Sequence, residues 1–229
     1  LIAVDADLNQ PQTYADASQW VQTHFGGKLD VLIHNAGFGI FAPGHTLTEM
    51  EVRHQLEVNF IAPVLLTQKL IPHLVKQKGR ILCLSSVCGQ VGLPFYSNYC
   101  ASKFAMEGFF ESLWMDLRRA NVQICLIEPG AFKTEFNKKL LFGAIDFEQK
   151  PALVRVIQEK TRSMGQPPDR VVKTLVQLCF QRRIPLRVSR GIDARLLLLA
   201  RWILPSTFFA FLVEKAFQFT LTRYGGEPR

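Results

Sequence analysis

Several familiar patterns are missing from this sequence, and each absence removes a class of protein. There are five cysteines (Cys83, Cys88, Cys100, Cys125 and Cys179), an odd number with no CxxC spacing. That pattern supplies neither a zinc module nor a disulfide framework, and it points to a reduced, cytoplasmic setting. His34, His45, His54 and His73 show no HxxxH or HExxH spacing, so no metal is expected. The formal net charge is +8, but the basic residues are scattered and no finger, basic zipper or RNA-binding signature accompanies them. Nucleic acid is therefore not an expected partner. No internal repeat or low-complexity tract occurs. Leu1 to Leu8 is short and carries Asp5 and Asp7, which is not the make-up of a signal peptide.

What is present is an ordinary globular mixture: 229 residues, 48% hydrophobic and 20% charged, enough to bury a core. Short apolar runs alternate with amphipathic stretches, which predicts an α/β domain around a parallel sheet. Leu1 to Asp7 reads as the end of a strand, Pro11 to Phe25 as a helix and Leu29 to His34 as a strand. Thr46 to Lys78 reads as a long helical region, with Thr46 or Thr48 as cap and Glu49 or Glu51 at capping-box spacing; Pro63 and Pro72 should bend or divide it. Arg80 to Ser85 is a predicted buried strand, Asn98 to Arg119 a helix and Val122 to Ile127 a strand stopped by Pro129-Gly130. Lys133 to Arg162 is expected to be irregular with one or two short helices. A helix over Asp169 to Gln181, a last strand over Ile184 to Val188, and two apolar helices parted by Pro205 within Asp193 to Tyr224 complete the reading.

The chemistry is concentrated in Ser86, Tyr99 and Lys103. Tyr99-Cys100-Ala101-Ser102-Lys103 puts a phenol and an ammonium four apart, on one face of a helix. A lysine beside a phenol favours phenolate, and a tyrosine tuned in this way can exchange a proton near neutral pH. Ser86 ends the preceding strand, at the edge where open sheets bind ligands. Taken alone, such a Tyr–Lys pair on a helix face is usually structural. Tyr96 lacks a lysine four residues on and reads as pocket wall. Ser85 should face away from Ser86, and Trp114 reads as core.

The pair has company. Asn35-Ala36-Gly37 after a strand, Asn59 in a long helix, Ser86, Tyr99, Lys103, and Pro129-Gly130 with Thr134 follow in the order of the short-chain dehydrogenase/reductase family. Gly92-Leu93-Pro94-Phe95, then Tyr99 to Ala105 and Glu107-Gly108, most resemble its 17β-hydroxysteroid dehydrogenase branch. The likeness is good over about residues 1 to 135 and looser beyond. It implies an enzyme that uses NAD or NADP to interconvert an alcohol and a ketone or aldehyde. Tyr99 would exchange the proton, Lys103 would hold the nicotinamide ribose and tune Tyr99, and Ser86 would polarise the carbonyl. Asn59 would kink its helix and hold a water in a proton relay. Asn35, Ala36 and Gly37 would line the cofactor near its adenine-side ribose, Asp7 would meet its adenine, and Pro129, Gly130 and Thr134 would contact its nicotinamide end. The family pattern has Asn where this chain has His34.

That family opens with a strand, a glycine-rich turn and a helix whose N-terminus meets the pyrophosphate. No such segment occurs here, so the expectation is a doubly wound, Rossmann-like parallel sheet that is N-terminally truncated, beginning within its third strand. The choice between NAD and NADP goes with the missing part. The expected division is residues 1–192 as the incomplete domain, with a substrate loop at about 133–165. Residues 193–229 would form apolar helices that cover a substrate pocket or lie on a membrane through 193–224. Pro205 and the interrupting basic residues leave each apolar piece shorter than the about 20 residues a spanning helix needs. A small hydrophobic substrate and a homo-oligomer are the expected partners. The competing reading is a non-catalytic nucleotide-binding or membrane-surface protein of the same fold.

Overall fold

The structure is a computed structural model that describes residues 2–132, 140–142 and 167–225. Four strands, β1 (Val31–His34), β3 (Arg80–Leu84), β4 (Gln123–Pro129) and β6 (Arg187–Arg190), form one sheet in the spatial order β1-β3-β4-β6, every neighbour pair parallel. Parallel strands need helical crossovers, and α3 (Ala62–Gln77), α4 (Ser97–Leu117) and α5 (Asp169–Phe180) lie between them in the chain.

The two faces of the sheet explain why the strands read as near-continuous apolar runs. On one face Ile81, Cys83, Ile124 and Leu126 pack against Leu74 of α3 and Met106 and Phe110 of α4. On the other, Leu82, Cys125 and Ile127 pack against Leu178 of α5. The result is the doubly wound, three-layered arrangement expected from the sequence. Helix α1 (Gln12–Phe25) lies against α3, where His73 bonds Ser18 Oγ at 2.9 Å and the Gly27 carbonyl at 3.1 Å.

Three departures from the expected elements have local causes. Residues 2–7 pair with no strand among the described residues, and Ile2 and Val4 are exposed; extended chain with no neighbouring ladder does not register as strand. The last strand starts at Arg187 and not Ile184, because Pro185 has no N–H to donate, and pairing begins beyond it. The long helical region is a continuous run over Glu49–Gln77. It opens with α2 (Glu49–Leu56), capped reciprocally by Thr48 and Glu51. It then widens into a π turn over Glu57–Ile61, in which the Ala62 N–H reaches the Glu57 carbonyl, and continues as α3. Pro63 cannot donate to the carbonyl four residues back, so the turn before it loosens instead of breaking. Pro72 stays inside α3. By length and composition this run could cross a membrane, yet here it is wedged against α1 and α4.

A second parallel pair, β2 (Ile40–Phe41) with β5 (Leu141–Phe142), is too short to show a period in sequence. After β6 come α6 (Ile192–Ile203) and α7 (Ser206–Gly225), parted at Pro205 as expected. Most of the expected substrate loop at 133–165 lies outside the described residues.

Candidate active site

The carboxyl edge of the sheet gathers the site. Asn35, Ala36 and Gly37 leave β1 there, exposed; Ser86 follows β3, and Pro129-Gly130 end β4. Helix α4 rises beside this edge with Tyr99 and Lys103 both buried. Ser86 is extended and its Oγ accepts the Cys88 N–H at 3.2 Å. The Ser86 side chain stands near enough to the Tyr99 hydroxyl to favour its ionised form. Lys103 Nζ lies 5.8 Å from the Tyr99 ring centroid and donates to the Leu84 carbonyl at 2.8 Å. Ser86, Tyr99 and Lys103 therefore converge, as their spacing predicts.

The electrostatics differ from the simple expectation. Burial raises the Tyr99 hydroxyl well above the usual phenol range, Cys88 adds to this, and the nearby Ser86 side chain pulls the other way. The ammonium lies over the ring face and is bonded to the Leu84 carbonyl, not to the Tyr99 oxygen, so it does not make Tyr99 a phenolate here. Lys103 itself is lowered to about 8, first by burial, with Cys83, Cys88 and Glu107 opposing. Tyr99 thus stands as a protonated phenol, the form that donates.

Asn59 sits at the centre of the π turn, fully buried. Its Oδ1 accepts the Phe38 N–H at 3.0 Å, and its Nδ2 donates to the Phe38 carbonyl at 2.9 Å and to Ser102 Oγ at 3.0 Å. Ser102 Oγ in turn donates to the Tyr99 carbonyl at 2.7 Å. The helix is disturbed at Asn59, and its carboxamide bonds to protein groups on both its oxygen and its nitrogen. A Cβ on Gly37 would stand 3.1 Å from Asn59 Oδ1 and 3.8 Å from Lys103 Nζ. Glycine thus keeps a ledge open beside the lysine, where a ribose diol could approach.

The remaining expected contacts are less uniform. The Gly130 N–H donates to the Arg190 carbonyl at 2.8 Å. The Asp193 carboxylate packs on Gly130 and accepts the Ala131 N–H at 2.8 Å. Asp7 is exposed on irregular chain, its carboxylate accepting from the Asn9 N–H and side chain at 2.9 Å. Thr134 lies outside the described residues. His34 replaces the family asparagine with a buried ring bonded to Thr67 Oγ1 at 2.7 Å. Tyr96 meets Tyr99 edge-on at 6.1 Å, as a wall residue would. All five cysteines are free, and no cluster of possible metal ligands occurs among the described residues.

Residues 1–142 match the short chain dehydrogenase family. The chain belongs to that family. Among this short-chain dehydrogenase's relatives, human retinol dehydrogenase 8 is 37% identical over 204 residues, covering 84% of this chain and 64% of the relative. Mouse 17-beta-hydroxysteroid dehydrogenase type 1 is 42% identical over 141 residues, covering 61% of this chain and 40% of the relative. A solved short-chain dehydrogenase from Streptomyces avermitilis has a TM-score of 0.77 at 25% identity, covering 95% of this chain and 80% of that one. One from Burkholderia cenocepacia, solved in complex with NADP, has a TM-score of 0.67 at 20% identity, covering 91% and 77%. The chain spans just under two thirds of the length of the first curated relatives it matches; for human retinol dehydrogenase 8 the share is 64%.

Sequence reading missed several neighbours of this short-chain dehydrogenase site. Gln55 Nε2 donates to the same Phe38 carbonyl as Asn59, at 3.0 Å; its position one turn before Asn59 was the available signal. Cys88 and Cys100 pack together in the cluster that holds Tyr99. Phe95, in a left-handed backbone conformation (φ 63°), stacks on Phe41 at 5.1 Å and on Phe217 of α7 at 5.5 Å. The sequence gives no sign of that conformation, which β-carbon sterics disfavour.

Proposed function

We propose that this chain carries the proton-transfer half of an NAD- or NADP-dependent oxidoreductase that interconverts an alcohol and a ketone or aldehyde on a hydrophobic substrate. The observation that carries the reading is the buried contact of Tyr99 with Ser86, with Lys103 beside them. In the reducing direction the substrate oxygen accepts hydrogen bonds from Ser86 and Tyr99, which polarise the carbonyl. Tyr99 then gives its proton to that oxygen as negative charge builds on it. The positive charge of Lys103 nearby offsets the phenolate left behind. In the oxidising direction the same proton returns to Tyr99.

The nicotinamide supplies or takes the hydride when bound. The residues fit its ribose end. Lys103 has ammonium protons beyond the one on Leu84, and Gly37 leaves the adjoining ledge free of a side chain. Asn35 and Ala36 border the same edge, and Pro129 and Gly130 end the next strand. Asp7 and Thr134 carry only the family resemblance.

Substrate polarity is argued from the C-terminal helices, residues 193–229 in our division. Ala194 and Leu197 of α6 pack with Val87, Leu93, Tyr96, Tyr99 and Cys100, so this helix closes over the tyrosine with apolar groups. Together with Phe41, Phe95 and Phe217 they favour a lipophilic carbonyl or alcohol of steroid, retinoid or long-chain type. The outward side of the same helices supports peripheral membrane contact: Leu196 and Trp202 are 61% and 85% exposed, with Arg195 and Arg201 beside them. For the homo-oligomer, the exposed Phe104 and Met115 of α4 offer apolar surface. The test is a screen of the full-length protein with NAD(H) and NADP(H). Turnover of steroids, retinoids or fatty carbonyls is expected, and far better turnover of sugars or short hydroxy acids would overturn the reading.

A further inference from the structure

Tyr99, Lys103, Glu107 and Glu111 recur every four residues on α4, and the first three are buried. A buried ammonium is costly unless negative charge accompanies it. The Lys103 ammonium is bonded to a neutral carbonyl, that of Leu84. Among the described residues, no carboxylate lies within ion-pairing distance of it. One turn further along, Glu107 is 4% exposed. Its Oε2 receives Arg187 Nε at 2.9 Å. Its Oε1 is buried with no hydrogen-bond partner, as is Ser85 Oγ. Both atoms border Gly89, where a Cβ would stand 2.8 Å from Glu107 Cγ and 2.7 Å from Ser85 Oγ. Glycine at 89 is what lets this carboxylate lie against the turn that carries Ser86.

Charge counting points the same way. Arg187 serves Glu107, Glu111 at 2.8 Å and Glu128 at 3.5 Å. Three carboxylates around one guanidinium leave an excess of negative charge, and Glu111 alone of the three is substantially exposed. The next cation along the Glu107 face of the helix is Lys103.

We propose that Glu107 is a positioning residue for Lys103: anchored by Arg187 and admitted by Gly89, its carboxylate keeps the lysine charged beneath the Tyr99–Ser86 pair. The groups that face Lys103 are Cys83 of β3, Cys88 of the turn after Ser86, Glu107 of α4 and His34 of β1. Those that face Glu107 are Ser85, Glu128 and Arg187. Of the groups acting on Lys103, Glu107 is the carboxylate. Cys83, Cys88 and then Glu107 oppose the burial that lowers the ammonium, and burial pushes the Glu107 carboxyl itself up; of these groups only Glu107 can bring a carboxylate charge. The proposal rests on the proton-transfer reading for its purpose, but the coupling itself can be measured without turnover.

The experiment is an NMR titration of the Lys103 side chain in protein carrying 13C- and 15N-labelled lysine and 13C-labelled glutamate, with Lys103→Met and Glu107→Gln to assign the two signals. In Glu107→Gln the Lys103 midpoint should fall by about one pH unit or more, the size a single near charge imposes. In Glu111→Gln, half-exposed and further along the helix, it should stay put. If Glu107→Gln fails to fold, the wild-type spectrum carries the same test: the Lys103 signal should show a second step at acid pH, at the midpoint of the Glu107 carboxyl carbon. An unmoved midpoint in a folded Glu107→Gln, or no acid step in wild type, would overturn the proposal, even if the variant were less stable. Failure of the proton-transfer reading would appear elsewhere, as unimpaired turnover in Tyr99→Phe.

Discussion

The Asn59 carboxamide pairs with both backbone polar groups of Phe38, accepting its N–H at 3.0 Å and donating to its carbonyl at 2.9 Å. A side chain in a helix thus acts as one rung of a ladder. It ties the loop after β1 to the π turn and, through Ser102, to the backbone of Tyr99. Asn59→Ala would strand the Phe38 N–H, at a cost of about 1–3 kcal/mol when left unsatisfied, while Gln55 still donates to the Phe38 carbonyl. A loss of about 1–3 kcal/mol in denaturant unfolding is expected. Ser102→Ala, which leaves the Phe38 pair intact, should cost less. Equal stability of Asn59→Ala and wild type would contradict the assignment.

The buried His34 sets a pH dependence. Burial, and then the charge of Lys103, lower it from 6.5 to about 4. Its folded value lies below the unfolded one, so the unfolded chain binds the extra proton first. Stability from this group is complete above about pH 6.5 and is lost as pH falls towards 4. The full span is worth roughly 3 kcal/mol. His34→Asn removes the titration, so the stability of the variant relative to wild type should rise as pH drops from 7 to 4. A difference that stays constant with pH would show that His34 is not held neutral.

Gly37 tests the proposed cofactor ledge. An added methyl would crowd Asn59 Oδ1 and face Lys103 Nζ. In the full-length protein, Gly37→Val should weaken NADH or NADPH binding, followed by fluorescence titration, by more than about tenfold, with the fold kept. Unchanged affinity would place the cofactor elsewhere.

Much of this was legible in the sequence because the chemistry depends on local spacing. Tyr99 and Lys103 needed only a helix to share a face, and Ser86 needed only a strand end. The strands β3 and β4 announced themselves as apolar runs because both faces of the sheet are covered. Other features depend on contacts remote in sequence. Nothing local shows that Asn59 is spent on Phe38, that Asp193 comes to rest on Gly130, or that Phe217 reaches Phe95. The lowered Tyr99 expected from a nearby lysine was reversed by burial, which depends on α6 closing over the site. Residues 1–7 read as strand by composition, but a strand exists only with a partner.

The outer face of α6 makes a separate prediction. Leu196, Leu199, Trp202 and Ile203 are exposed, and Arg195 and Arg201 flank them. The full-length protein should co-sediment with vesicles containing phosphatidylserine, and the double variant Arg195→Glu, Arg201→Glu should bind several-fold less. Equal sedimentation of both proteins, or none of either, would remove the membrane reading and leave α6 as pocket cover alone.

The central claim is that Tyr99 moves the proton, and the most direct measurement is steady-state turnover of full-length Tyr99→Phe beside wild type on the best lipophilic substrate from the screen. The ring and its packing remain while the hydroxyl is lost. kcat should fall by about two orders of magnitude or more, with cofactor affinity and melting temperature close to wild type. Turnover near wild type in a folded, cofactor-binding Tyr99→Phe would contradict the account and shift the proton donor to another group, with Tyr96 next in line.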